Sequence, residues 1–193
     1  MLDYYQKLDI SLTDSHYDFL LPDSSRKQAR DIFEMEPAEE EKFFSFLPFY
    51  PLDIAAGAFM SSSIPTEPEK WVRVAGRTSR TMLTEFMFAA RIQGKSMEPL
   101  IPNGSIVLFT FDVAGTRNGR IVLAQKSDFT DPETGASYTI KRYRSTKVED
   151  TETGWRHETI SLQPINPDFQ EITILGEDAG DFRIVAFFIE VLA

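Results

Sequence analysis

The chain has 193 residues, 42% of them hydrophobic, and a formal net charge of −10. This is apolar material for one ordinary domain and an appendage. No run approaches the 18 apolar residues of a membrane helix, and the acidic balance opposes non-specific binding of nucleic acid. Cysteine is absent, which excludes disulfides, thiol catalysis and cysteine metal sites and fits a cytoplasmic setting. The two histidines, His16 and His157, are too few for a histidine-rich metal site, so no metal is expected.

In chain order, the start "MLDYYQKLDI" lacks the basic-then-apolar pattern of a signal peptide. Residues 1–46 hold eleven acidic and five basic residues, a balance of −6. Within them "SSRKQARDIFEM" reads as a helix capped by Ser24 or Ser25. "PAEEEKFFSFL" reads as a second helix, opened by Pro37 with acids in its first turn. The predicted first domain is thus an acidic helical arm, 1–46. It has no basic recognition face, which disfavours a helix-turn-helix repressor.

The texture changes at Leu47. "LPFYPLDIAAGAFMSSSIP" is bounded by prolines, aromatic and then small. After it come short runs rich in Val, Ile and Phe: "KWVRVA", "FMFAARIQ", "SIVLFTF", "GRIVLAQK", "SYTIKRYR", "ETISLQPI" and "RIVAFFIEVL". Turn signals separate them: "PNG", "TRNG", "DPETG", "TETG", "NPD" and "EDAG". The expectation is a mainly β domain over 47–193, a small barrel or sandwich. The last run is apolar almost without interruption from Ile184 to Leu192. It predicts a strand with apolar side chains on both faces, one on the core and one for a dimer interface or for cover by Phe43, Phe44 and Phe46.

Within "RIQGKSMEPLIPNGSIVLF", Ser96 stands between turn residues. Gly94 permits a sharp bend ahead of it, and Met97 and Pro99 fix the turn that follows. Most loop serines only cap or close turns. A serine nucleophile needs a base to take its proton, and neither histidine is well placed. A lysine serves if burial lowers its pKa enough for a neutral amine. In "SYTIKRYR" the alternation puts Thr139, Lys141 and Tyr143 on one face. Lys141 is therefore the candidate base, against the common alternative of a solvated lysine.

Taken together, "GKSMEPLIPNGSIVLF", "GRIVLAQ", "YTIKRYR" and "LQPINPDF" resemble the self-cleaving Ser-Lys peptidases typified by LexA and UmuD, with signal peptidases as more distant relatives. The resemblance covers about residues 47–193. It implies a coiled, mostly β fold with a shallow cleft, cytoplasmic action and no cofactor. It assigns Ser96 as nucleophile and Lys141 as general base. The backbone N–H groups of Ser96 and Met97 become candidate oxyanion donors, with Gly94 supporting the turn. It also implies that the substrate is the chain's own N-terminal segment. Within 52–60, "DIAAGAF" offers Ala56-Gly57 as the cleavage site, 39 residues before Ser96, as an extended strand passing the serine.

Three departures from the family pattern stand out. The Ser96–Lys141 spacing of 45 is long, and "SDFTDPETGAS" is expected to absorb the excess as a surface turn. Lys95 and Ser105 stand where acids are usual. The N-terminal helix-turn-helix is missing, as it is in UmuD-like proteins. The resemblance further implies a homodimer and a trigger such as a recombinase filament, in a stress-response or phage-defence setting, with no direct nucleic-acid or membrane partner. Two alternatives remain: a non-catalytic regulatory module that keeps the cleft, and a transcriptional repressor.

Overall fold

The computed structural model describes residues 36–60, 67–74, 82–149 and 156–192. The expected helix over 24–35 and the "TETG" turn lie outside the described residues. The expected second helix from Pro37 is not formed. Only Glu39–Glu41 makes a single 3-10 turn, and Phe46 already belongs to a strand. The three phenylalanines of this segment have separate roles. Phe46 is buried, Phe43 packs edge-on against Trp71 at 5.4 Å, and Phe44 stays exposed.

The strands are β1 (Phe46–Phe49), β2 (Lys70–Arg73), β3 (Met87–Arg91), β4 (Ile106–Thr110), β5 (Ile121–Gln125), β6 (Tyr138–Val148), β7 (Arg156–Gln163), β8 (Ile172–Leu175) and β9 (Arg183–Val191). They form one sheet in the order β2-β1-β3-β4-β9-β5-β6-β7-β8. The fold is mainly β, as expected, with every neighbouring pair antiparallel except β1 and β3. Two of these strands were not foreseen. Pro48 argues against an inner strand, yet β1 lies between β2 and β3. Its ladder to β3 is limited to the Phe49–Ala89 pair, so the missing N–H of Pro48 costs little there.

Neighbouring residues of the central strands feed different cores. Phe88, Val107, Phe109, Leu123 and Val185 join one apolar cluster; Val122, Ala124, Ile184 and Phe187 join a second; Ala89 and Leu108 join a third. Both faces of the sheet centre are therefore covered, which is why these strands read as unbroken apolar runs. β9 sits between β4 and β5, with a register shift against each, and such bulges bend a sheet. Its apolar run is accounted for mainly by this central position within one chain. Phe187 is fully buried, and only Phe188, Ile189 and Val191 are half-buried.

One helix, α1 (Leu52–Met60), precedes β2. This segment was expected to be extended. Leu52, Ala55 and Ala56 are buried while Asp53 and Ile54 are exposed, the spacing of a helix with one apolar face. The Ala55 N–H donates to the Pro51 carbonyl at 3.0 Å, and Asp53 sits favourably in the first turn. The candidate scissile pair, Ala56 and Gly57, is thus helical, with Ala55 and Ala56 packed inside.

Candidate active site

Ser96 lies in the turn between β3 and β4. Gly94 adopts φ +104°, a conformation glycine takes without strain, and its N–H donates to Asn103 Oδ1 at 3.0 Å. Met97 and Ile101 bury their side chains in the first apolar cluster. The N–H groups of Ile165 and Asn166 both donate to the Ser96 carbonyl at 3.0 Å. The Asn166 side chain donates to the Lys95 carbonyl at 3.2 Å. The "INPD" loop thus clamps the serine turn from outside while Met97 pins it from within.

Lys141 comes from β6, paired with Val122 of β5. As the strand alternation requires, Thr139, Lys141 and Tyr143 all point inward and are buried. The structure brings the two residues singled out by sequence together: Lys141 Nζ lies 2.9 Å from Ser96 Oγ. Both side chains are almost fully enclosed, Ser96 at 6% exposure and Lys141 at 4%. His157 lies on β7 opposite Lys147, away from this pair.

Two further contacts complete the amine's surroundings. Nζ donates to Thr139 Oγ1 at 2.9 Å and faces Asp131 Oδ2 at 3.5 Å. Thr139 in turn donates to Asp131 Oδ2 at 2.5 Å, and Asp131 Oδ1 accepts from the N–H groups of Glu133 and Thr134 at 2.9 Å and from the Thr134 hydroxyl at 3.2 Å. Burial pushes the Lys141 amine below the ordinary lysine range; the Asp131 carboxylate, and Glu133 more weakly, pull the other way. Burial alone would raise Asp131. The hydrogen bonds from Thr139 and Thr134, the nearby ammonium and the Glu133 N–H outweigh it and hold the carboxyl below its usual range. The charges that act on Lys141 are therefore carboxylates.

This geometry suits proton transfer. An ammonium has three N–H bonds, for Ser96, Thr139 and Asp131. A neutral amine has two and a lone pair. It keeps Thr139 and Asp131 as acceptors and turns the lone pair to the Ser96 hydroxyl.

The hairpin between β5 and β6 is more than the expected surface turn. It carries Asp131 inward, and it places the Glu133 carboxylate on two successive backbone amides. Ser96 N–H donates to Oε2 at 3.2 Å, and Lys95 N–H donates to Oε1. A pair of consecutive amides aimed at one anion is an oxyanion-binding arrangement. The amides that converge are those of Lys95 and Ser96 rather than Ser96 and Met97. Leu52 of α1 lines the same cleft as Ser96, Lys141, Asp131 and Glu133, so the start of the helix borders the site.

A family model described as Peptidase S24-like matches residues 48–189. The chain belongs to the S24-like peptidase family. The match includes α1, the serine turn, the hairpin with Asp131 and Glu133, Lys141 and the Asn166 loop. A comparison with curated proteins returned no match. Among the described residues, no helix is long and apolar enough to cross a membrane.

Sequence reasoning missed Asp131, Glu133, Thr139 and Asn166 as parts of the site. Thr139 was within reach, since it shares the face of Lys141 two residues away. Asn166 lay inside a quoted family motif without a role. Asp131 and Glu133 carried no signal beyond that of turn residues.

Proposed function

We propose that the chain is a Ser-Lys endopeptidase that cuts itself between Ala56 and Gly57, and that the cut is a regulatory switch. The observation that carries this reading is the 2.9 Å contact of Lys141 Nζ with Ser96 Oγ in a buried site. Neutral Lys141 takes the Ser96 hydroxyl proton as Oγ attacks the Ala56 carbonyl carbon. The Lys95 and Ser96 amides receive the resulting oxyanion. The intermediate collapses, the C–N bond to Gly57 breaks, and the Lys141 ammonium protonates the leaving amine. Water then attacks the ester, Lys141 accepts its proton, and that proton returns to Ser96.

Attack requires α1 to unwind, because its backbone carbonyls are tied into the helix and Ala56 is packed. The helix has nine residues with a glycine inside. Short helices owe their stability mostly to packing, and an internal glycine costs about 1 kcal/mol relative to alanine. The segment is therefore poised to open once its packing is disturbed, and a trigger acts by favouring that open state. In the proposed setting the chain is a cytoplasmic homodimer in a stress or phage-defence response. A recombinase filament is one candidate trigger, and the released piece is residues 1–56, the acidic arm together with β1 and the start of α1.

One observation favours a second reading, a non-catalytic module: Glu133 already fills the amides that the reaction needs. The test between them is intact mass and N-terminal sequencing after incubation at raised pH. The expected larger product begins at Gly57. An intact chain, or a product starting elsewhere, contradicts the proposed reaction or its site.

A further inference from the structure

We propose that the Lys95 and Ser96 amides form a carboxylate-binding site which Glu133 fills from within the chain, in competition with any peptide carboxylate or scissile carbonyl entering the cleft. The inference rests on the peptidase reading for what the competition regulates, although the binding site itself is read from geometry. Three features fit a carboxylate rather than a chance contact. Each Glu133 oxygen accepts from a different, successive amide, Oε1 from Lys95 and Oε2 from Ser96. Gly94 leaves the space: a Cβ there would meet Glu133 Oε2 at 2.7 Å and the carboxyl carbon at 2.9 Å. The hairpin is held in place by its own buried anchor, since Asp131 accepts from the Glu133 N–H at 2.9 Å and is almost fully buried.

The ligand class follows from the reaction chemistry. Cleavage leaves a new C-terminal carboxylate beside Ser96, and Glu133 presents the same group to the same amides. It mimics the product of the proposed reaction. A substrate carbonyl has to displace it, so the resting site is closed by a carboxylate supplied from the hairpin that lengthens the Ser96–Lys141 spacing. Withdrawal of the hairpin then frees the donors in a single step.

The contrast between Glu133→Ala and Glu133→Gln separates occupancy from simple damage. Alanine empties the site. Glutamine keeps one acceptor oxygen, but its NH2 group faces the second amide, donor against donor. The probe is N-acetyl-Ala-Ala with a free C-terminal carboxylate, against the same dipeptide amidated, followed on the full-length chain through the Lys95 and Ser96 amide resonances. The expected result in Glu133→Ala is an upfield move of both resonances and their return on adding the acid, with affinity roughly tenfold above wild type, the scale of one charge-assisted hydrogen bond. The amidated dipeptide should bind more weakly, and Glu133→Gln should fall between wild type and Glu133→Ala. Resonances unmoved by Glu133→Ala, or equal affinity of wild type and variant for the acid, overturn the inference. These readouts need no catalysis. Should the acid bind as expected while neither protein cuts itself, the carboxylate site stands and the peptidase reading fails.

Discussion

Ser96→Ala is expected to abolish self-cleavage, and Lys141→Ala to slow it by about 10²- to 10⁴-fold, the range lost with a general base. The two losses have different structural costs. Ser96→Ala removes one hydroxyl from a turn held by backbone bonds to Ile165 and Asn166, so its melting temperature should stay near wild type. Lys141→Ala strands the Asp131 carboxylate, which is 3% exposed. Unpairing a buried ion pair costs about 3–5 kcal/mol. The four other hydrogen bonds on that carboxylate keep the loss below this range. Adding Asp131→Asn to Lys141→Ala should recover part of the melting temperature without recovering cleavage. Mass spectrometry for the cut and thermal melts for the fold check each statement. Cleavage retained in a folded Lys141→Ala protein would show that another base acts.

The second large effect is of pH. Only the neutral amine accepts the serine proton. Below the folded pKa of Lys141 the neutral fraction rises about tenfold per pH unit, and the rate should follow it, about a hundredfold over two units. The rise should level off below the ordinary lysine value, because burial lowers the pKa. Asp131 favours the ammonium and so holds that pKa up against burial. Asp131→Asn removes the negative charge but keeps an acceptor for Thr139. Its rate profile should therefore turn over at lower pH than wild type. A flat profile contradicts lysine as the base. A turnover moved to higher pH contradicts the role given to Asp131.

The fold was largely legible because its strands are rich in β-branched and aromatic residues and are punctuated by turns. What escaped was local structure overridden by context. β1 contains Pro48, which propensity alone would not place between two strands. α1 is built from small and apolar residues whose helical face shows only once one knows that Leu52, Ala55 and Ala56 are inside. Ser96 and Lys141 were legible because each sits in a motif, and the alternation of β6 places Lys141 with Thr139. Asp131 and Glu133 were not, since "TDPETG" has the composition of any exposed turn. That this turn folds back over Ser96 is a tertiary fact with no local signature. Lys141 is buried, as a lysine base requires, but beside the Asp131 carboxylate.

The central claim is that Ser96 is a nucleophile activated by neutral Lys141. Its most direct measurement is covalent labelling by a fluorophosphonate, with the modified residue located by peptide mapping across a pH series. This reads the serine without requiring α1 to unwind. The account predicts an adduct on Ser96, forming faster as pH rises, and strongly reduced labelling in Lys141→Ala at every pH. No adduct on Ser96, or labelling of Ser96 at the same rate with and without Lys141, would contradict it.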